Sequence, residues 1–431
     1  MTGGMYGSPE SAIQFFREYS NHLKQNGYQQ SRMDPSVFYK RDEQGRTVII
    51  AVIHVDDILI VGTQDEINKF KTIVGKRFGY TDKDGFKKHL GVWYEEHVDK
   101  NGNKCIIATM KNIIENIITT FEQHYKKGKL QEFSTPGKPG NTMAKNEETA
   151  IDAEKYRKVV GKIMYLVCKL MPEAANAARD LARHFTNPGP EQWKELARFV
   201  GYLKKHQDDI KLTMRKPRAM RVGTLTDSNY GSPKSVSGGI QTLGGSITNW
   251  LSKSQSMVTR SSTEAEYVAA VLNASELKFM QMFLEEVFYV TTPGIMLEDN
   301  MGCIFLVRNK QMGPRTKAIQ IRMHWIREAF EKEELTIDYV KSEENESDII
   351  TKNVTEQLQK KFSERLRNGT LRIYEQWNSI VQSVDGLHRD TIGEAVEQSN
   401  SNVHESDESS GTNIRQNRND LDKNMYYYVE T

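Results

Sequence analysis

From Gly223 onward the chain spells three short strands in series, "GTLTDSNYG", "SVSGGIQTLGG" and "SITNWLSKSQ", and then one long helical run, "SSTEAEYVAAVLNASELKFMQMFLEEVFYV". Strand "GIMLEDN", helix "MGCIFLVRN", helix "QIRMHWIREAFEKEE", strand "LTIDYVKSEEN" and helix "SDIITKNVTEQLQKKFSERL" follow. Strands joined by short turns pair antiparallel, whereas strands separated by helices return parallel. The order therefore predicts an α/β domain: three antiparallel strands, then parallel strands alternating with helices.

The first 133 residues mix α and β differently. A helix is expected over "SPESAIQFFREYSNHLKQNGY", with Ser8 as its cap and Gly27 as its stop. "PSVFYKRDEQGRTVIIAVIHVDDILIVG" reads as strands broken at "DEQG" and at the Asp56–Asp57 pair, and "QDEINKFKTIVGKRFGY" as an amphipathic helix. A hairpin around "KNGN" and a helix over "KNIIENIITTFEQHY" complete this part. A Pro/Gly-rich connector, Ser134 to Ala150, leads into helices over "AEKYRKVVGKIMYLVCKLM", "PEAANAARDLARHF" and "PEQWKELARFVGYLKKH". The basic stretch "MRKPRAMR" reads as a linker into the α/β domain.

Charge is unevenly spread. From Val381 to Thr431 ten acids face four bases, a net −6, which leaves +8 on the preceding 380 residues. A moderately basic body suits a polyanionic partner. The Asn/Ser/Glu-rich end is poor in large aliphatics and is expected to be disordered, apart from "MYYYV", which could dock. Cys105, Cys168 and Cys303 are far apart with no CxxC pair, which argues against a disulfide framework or a zinc site. No run reaches the roughly 18 apolar residues of a membrane span. The N-terminus has neither the basic start nor the apolar core of a secretory signal, so an intracellular location, cytoplasm or nucleus, is expected.

Chemistry is carried by acids. Asp56 and Asp57 lie between two apolar runs, as a tight turn or as a pair of cation ligands; Mg²⁺ prefers carboxylate oxygens combined with substrate phosphates. In the α/β domain Asp227 follows a short strand, Glu264 and Glu266 open the long helix, Asp299 ends a strand and Asp348 opens the last helix. Four such carboxylates converging at one sheet edge could hold two Mg²⁺ about 4 Å apart, an arrangement suited to in-line attack on a phosphodiester. Individually each has a plainer reading. Glu264 completes an S-x-x-E capping box with Ser261, and Asp348 is a favourable charge at a helix start.

In order and in context, these stretches resemble the carboxy-terminal part of the Pol polyprotein of copia-type LTR retrotransposons, reverse transcriptase followed by RNase H. "HVDDILIVG" is similar to the polymerase motif, with His54 where tyrosine is usual. "LGVWYEEHVDKNGNKCIIATMKNIIENII" resembles the primer-grip and thumb region, and "YRKVVGKIMYL" with "FTNPGPEQWKELARFVGYLK" the block joining polymerase to RNase H. "LTDSNYGSPKSVSGGIQTLGGSITNWLSKSQSMVTRSSTEAEYVAA", "EDNMGCIFLVRN", "RTKAIQIRMHWIRE" and "SDIITK" then follow in the family's order. The resemblance runs from Tyr6 to Lys352.

It implies an α+β and α/β chain: partial reverse transcriptase palm and thumb (1–133), linker (134–150), helical connection (151–221), RNase H-like domain (222–368) and a largely disordered acidic tail (369–431). Asp56 and Asp57 become palm carboxylates; Asp227, Glu266, Asp299 and Asp348 become the ligands of a two-Mg²⁺ site, or Mn²⁺ in its place, with Glu264 the fallback for Glu266. The expected activity is Mg²⁺-dependent hydrolysis of the RNA strand of an RNA/DNA hybrid. The family's third palm aspartate lies upstream of this chain, so polymerase activity is expected to be lost. Ala318 and Gln320 replace a histidine and an acid in "TKAIQ", while His324 is kept. That change favours an alternative, an inactive relic or co-opted module that only binds nucleic acid. Basic residues of "MRKPRAMR" and "RNK" are candidate phosphate contacts, or ordinary surface charge.

Overall fold

The computed structural model describes residues 9–83, 87–99, 102–125, 128–216, 220–231, 234–309, 324–373 and 425–430. The chain forms two compact units of mixed α and β structure. One comprises Met1–His89, Glu286–Phe288 and Glu375–Thr431, the other Leu90–Glu285 and Tyr289–Tyr374.

In the first unit, helix α1 (Pro9–Gln25) is followed by strands β1 (Val37–Arg41), β2 (Thr47–His54) and β3 (Asp57–Gly62) and by helix α2 (Gln64–Gly75). Strands β2 and β3 pair antiparallel, Ile53 opposite Ile58 and His54 opposite Asp57. Alternate residues of the hairpin (Ile49, Ala51, Ile53, Ile58, Ile60) are buried against Tyr19 and Leu23 of α1 and Ile67, Phe70 and Val74 of α2. That is the period-two pattern of a sheet with one face covered. Gly62 is required there, because a Cβ would lie 2.7 Å from the Val48 carbonyl oxygen.

The turn is displaced by one residue from the expected Asp-Asp connection. Val55 and Asp56 form it, and Asp57 already belongs to β3. Val55 adopts φ 59°, a left-handed conformation that a β-branched side chain disfavours. Strand Met425–Glu430 pairs antiparallel with β3, Glu430 opposite Asp57. The "MYYYV" segment of the tail therefore joins this sheet, while residues 374–424 lie outside the described ones.

In the second unit, strands β4 (Val92–Val98) and β5 (Lys104–Thr109) form the expected hairpin, followed by helix α3 (Lys111–His124). Residues 134–150 carry no helix or strand, yet they are held in place. Gly140 N donates to the Asn353 carbonyl (2.9 Å), Asn353 Nδ2 donates back to the Asn141 carbonyl (3.0 Å), and Met143 N donates to Asp180 Oδ2 (3.0 Å). Helices α4 (Ala153–Leu170), α5 (Ala175–Ala182) and α6 (Pro190–His206) follow. The stretch read as a basic linker begins instead as strand β6 (Leu212–Arg215), antiparallel to β5, with Arg215 paired to Asp99 at 2.6 Å.

The α/β domain has the expected order. Strands β7 (Val222–Asn229), β8 (Val236–Leu243) and β9 (Ser246–Ser254) pair antiparallel. Helix α7 (Ser262–Phe288) leads to β10 (Gly294–Glu298), parallel to β7. Helices α8 (Met301–Arg308) and α9 (Trp325–Glu331) precede β11 (Leu335–Tyr339), parallel to β10. The sheet runs β9-β8-β7-β10-β11, which puts β7 in the centre and buries it almost throughout. The short helix α10 (Asp348–Thr351) and helix α11 (Glu356–Asn368) close the domain. Leu371 and Ile373, in the stretch expected to be unstructured, are buried.

Candidate metal centre

Parallel pairing assembles the site. Leu225 of β7 lies opposite Leu297 of β10, so Asp227 and Asp299, each two residues further on, emerge at the same end of the sheet. Helix α7 brings Glu266 to that end within its first two turns, and α10 brings Asp348 at its first residue. Two trios of acids result: Asp227, Asp299 and Asp348, and Glu266, Glu298 and Asp299. Within each trio one oxygen per residue lies within 4.8 Å of the others. Asp299 belongs to both. Asp227, Glu266, Glu298 and Asp348 are buried, and Asp299 is half-buried.

Such a cluster resists ionisation. Burial, with Asp348 beside it, raises the Asp227 carboxyl to about 7. Burial, with Asp227 and Asp299 nearby, raises Glu266 to about 9. Glu298 is pushed well above the carboxylate range by burial and by Glu266, and Asp348 is raised chiefly by burial. The Lys352 ammonium, 2.8 Å from Asp348 Oδ1, sits at the rim. Burial opposes its charge, but Asp227 and Asp348 outweigh that and hold its pKa above the ordinary value. Oε2 of Glu266 and Oε2 of Glu298 are buried with no hydrogen-bond partner. Orphaned carboxyl oxygens in a crowded all-oxygen cage fit a hard divalent cation, which would hold the acids ionised.

Neighbouring side chains fix the cage. The Thr351 hydroxyl donates to Asp227 Oδ2 and lies 3.1 Å from the Asp348 carbonyl oxygen. Thr226, just before Asp227, is held on two sides: Asn345 Nδ2 donates to its carbonyl (2.9 Å) and Asn273 Nδ2 to its hydroxyl (2.9 Å). Asn273 is fully buried, also donates to the Gly238 carbonyl, and accepts from Gln241 Nε2 at 2.7 Å. Replacing it with alanine strands several buried polar groups. Asn273→Ala should cost about 2–4 kcal/mol of unfolding free energy in a urea titration.

The two candidate glutamates of α7 part company. Ser261 caps the helix by accepting from Glu264 N (3.2 Å), and Glu264 Oε2 accepts from Arg260 N (2.7 Å). Glu264 therefore serves the helix start, while Glu266 faces the acids. Asp56 lies exposed and Asp57 half-buried at the β2–β3 hairpin, and neither belongs to an acid trio among the described residues. His324 Nδ1 lies 3.3 Å from the hydroxyl of Tyr267, the residue after Glu266. Ala318 and Gln320 lie outside the described residues. Of the candidate phosphate contacts, Arg215 pairs with Asp99, and Arg308 pairs with Asp338 at 3.0 Å.

No family model matches the chain. It is 28% identical over 365 residues to the retrovirus-related Pol polyprotein from transposon TNT 1-94 of Nicotiana tabacum, covering 81% of this chain and 26% of that polyprotein. It is 25% identical over 374 residues to the corresponding polyprotein from transposon RE1 of Arabidopsis thaliana, covering 84% of this chain and 24% of the other. Over more than 80% of its length the chain is similar to retrovirus-related Pol polyproteins of plant transposons. It spans about a quarter of the length of these Pol relatives. Among solved structures, the foamy viral protease-reverse transcriptase in complex with RNA/DNA hybrid is similar at 13% identity and a TM-score of 0.41, covering 78% of this chain and 39% of that one.

Within this chain, sequence reasoning missed Glu298 and the roles of Thr351 and Lys352. Period-two alternation turns Glu298 away from Asp299, but β10 ends at Glu298 and the alternation ends with it. Thr351 and Lys352 stand in "SDIITK", three and four residues after Asp348, a spacing that returns a helical side chain to the same face.

Proposed function

We propose that this chain is the reverse transcriptase/RNase H-type portion of a copia-type Pol polyprotein, and that its α/β domain hydrolyses the RNA strand of RNA/DNA hybrids with Mg²⁺. The two trios of buried acids meeting at Asp299 are the observation that carries the reading. An oxygen-only donor set favours Mg²⁺ or Mn²⁺ over softer ions. Asp227, Asp299 and Asp348 would hold one cation, and Glu266 with Asp299 the other. When bound, the pair would supply an activated water and offset charge on the phosphodiester.

The chain's own groups set up that chemistry. Thr351 fixes which Asp227 oxygen faces the cage, and Asn345 and Asn273 fix the backbone that carries Asp227. Half-buried Asp299 marks the open side from which a phosphate would approach. Lys352 pairs with Asp348 through a side chain 43% exposed, which places its ammonium where it would meet the phosphate's charge.

Incubating the full chain with an end-labelled hybrid in Mg²⁺ should yield RNA fragments, leave the DNA strand intact, and stop in EDTA. Retention of the hybrid that weakens steeply with salt, with no fragments in Mg²⁺ or Mn²⁺, would instead establish the binding-module alternative.

A further inference from the structure

We propose that Glu298 is a fifth carboxylate of the cation site, holding the second cation together with Glu266 and Asp299. The inference rests on reading the acidic cluster as a cation site. Glu298 is fully buried at the end of β10. Its Oε1 accepts from Asn300 N at 3.0 Å. Its Oε2 is buried with no hydrogen-bond partner, and one carboxylate oxygen of Glu298 lies within 4.8 Å of an oxygen of Glu266 and one of Asp299. A carboxyl kept merely protonated would hydrogen-bond to one of those neighbours, because an unmade bond in a buried site is costly. Glu266 Oε2 is orphaned in the same way. Two buried, unpartnered oxygens on different elements, both on acids of the Glu266–Glu298–Asp299 trio, are what a bound cation would satisfy. Without Glu298 the second cation has two protein ligands; with it, three.

The test is a calorimetric titration of Mn²⁺ into the full chain and into Glu298→Gln, with thermal unfolding of both in EDTA. Wild type should take up two Mn²⁺ per chain. Glu298→Gln should keep one unchanged and bind the second at least about tenfold more weakly, the scale on which even outer partners of a metal tune affinity. Its unfolding temperature in EDTA should equal or exceed wild type's, because the amide removes a crowded acid. Glu298→Met, which keeps the volume without an oxygen donor, should lose the second Mn²⁺ equally and guards against one variant misfolding. Superimposable isotherms for wild type and both folded variants would overturn the proposal while leaving the nuclease reading intact. Loss of one Mn²⁺ in the variants, with no hybrid cleavage by wild type, would uphold the proposal and sink the nuclease reading.

Discussion

Asp227→Asn should unfold at a higher temperature than the wild-type chain in EDTA, and should cleave no hybrid in Mg²⁺. Asp227 is 2% exposed, and burial together with Asp348 raises its carboxyl to about 7. Near neutral pH an ionised Asp227 is therefore a burden on the metal-free fold. The amide removes that charge, and its carbonyl oxygen can still accept the hydroxyl of Thr351. A gain of about 1–3 kcal/mol is expected, which raises the unfolding temperature by several degrees. The same change removes a carboxylate from the trio with Asp299 and Asp348. Hybrid cleavage should fall beyond the ten- to hundredfold that loss of an outer partner costs. Differential scanning calorimetry in EDTA and a fragment assay in Mg²⁺ read the two effects separately. A merely structural Asp227 would give the reverse, lower stability with unchanged turnover.

Stability of the metal-free chain should fall as pH rises from about 4 to 9. A carboxyl whose folded pKa stands above its unfolded value favours the folded state while protonated. That contribution is complete below the unfolded pKa and is lost as pH climbs through the folded one. Asp227 moves from 3.8 to about 7 and Glu266 from 4.5 to about 9, so the window opens near 4 and closes near 9. The two acids interact, so their contributions do not add. The total loss should be on the order of several kcal/mol. Saturating Mg²⁺ should flatten or reverse the slope, because protons then compete with the cation for the same oxygens. Urea unfolding at several pH values, with EDTA and with Mg²⁺, measures both slopes. Equal slopes in the two conditions would mean that the acids do not bind the cation.

The α/β domain was legible because its signals are local. Three short strands, a capped helix and two strand–helix alternations are each written within a few tens of residues, and the sheet follows the expected order. Asp227, Glu266, Asp299 and Asp348 were legible as strand-end and helix-start acids. What sequence could not supply was phase and distance. The turn at Asp56 slipped by one residue: His54 pairs Asp57, and Val55 takes the left-handed turn conformation at φ 59°. Glu264 and Glu266 differ by half a helical turn, and only the Ser261 cap shows which one faces the acids. Met214 and Arg215, the first residues of the stretch read as a linker, close strand β6; the signal was missed because its partner β5 lies about a hundred residues earlier and Arg215 answers to Asp99. The ordering of 134–150 depends on Asn353, more than two hundred residues away.

The central claim is that a cation held by Asp227 and its companions drives cleavage of RNA paired to DNA. The most direct measurement is fragment release from an RNA-labelled hybrid in Mg²⁺, with wild type and Asp227→Asn side by side and both shown to be folded by calorimetry. The account predicts short RNA fragments from wild type and none above background from the more heat-stable Asp227→Asn. Equal cleavage by the two proteins would contradict it, and so would no cleavage by a wild-type chain that is folded and saturated with Mg²⁺.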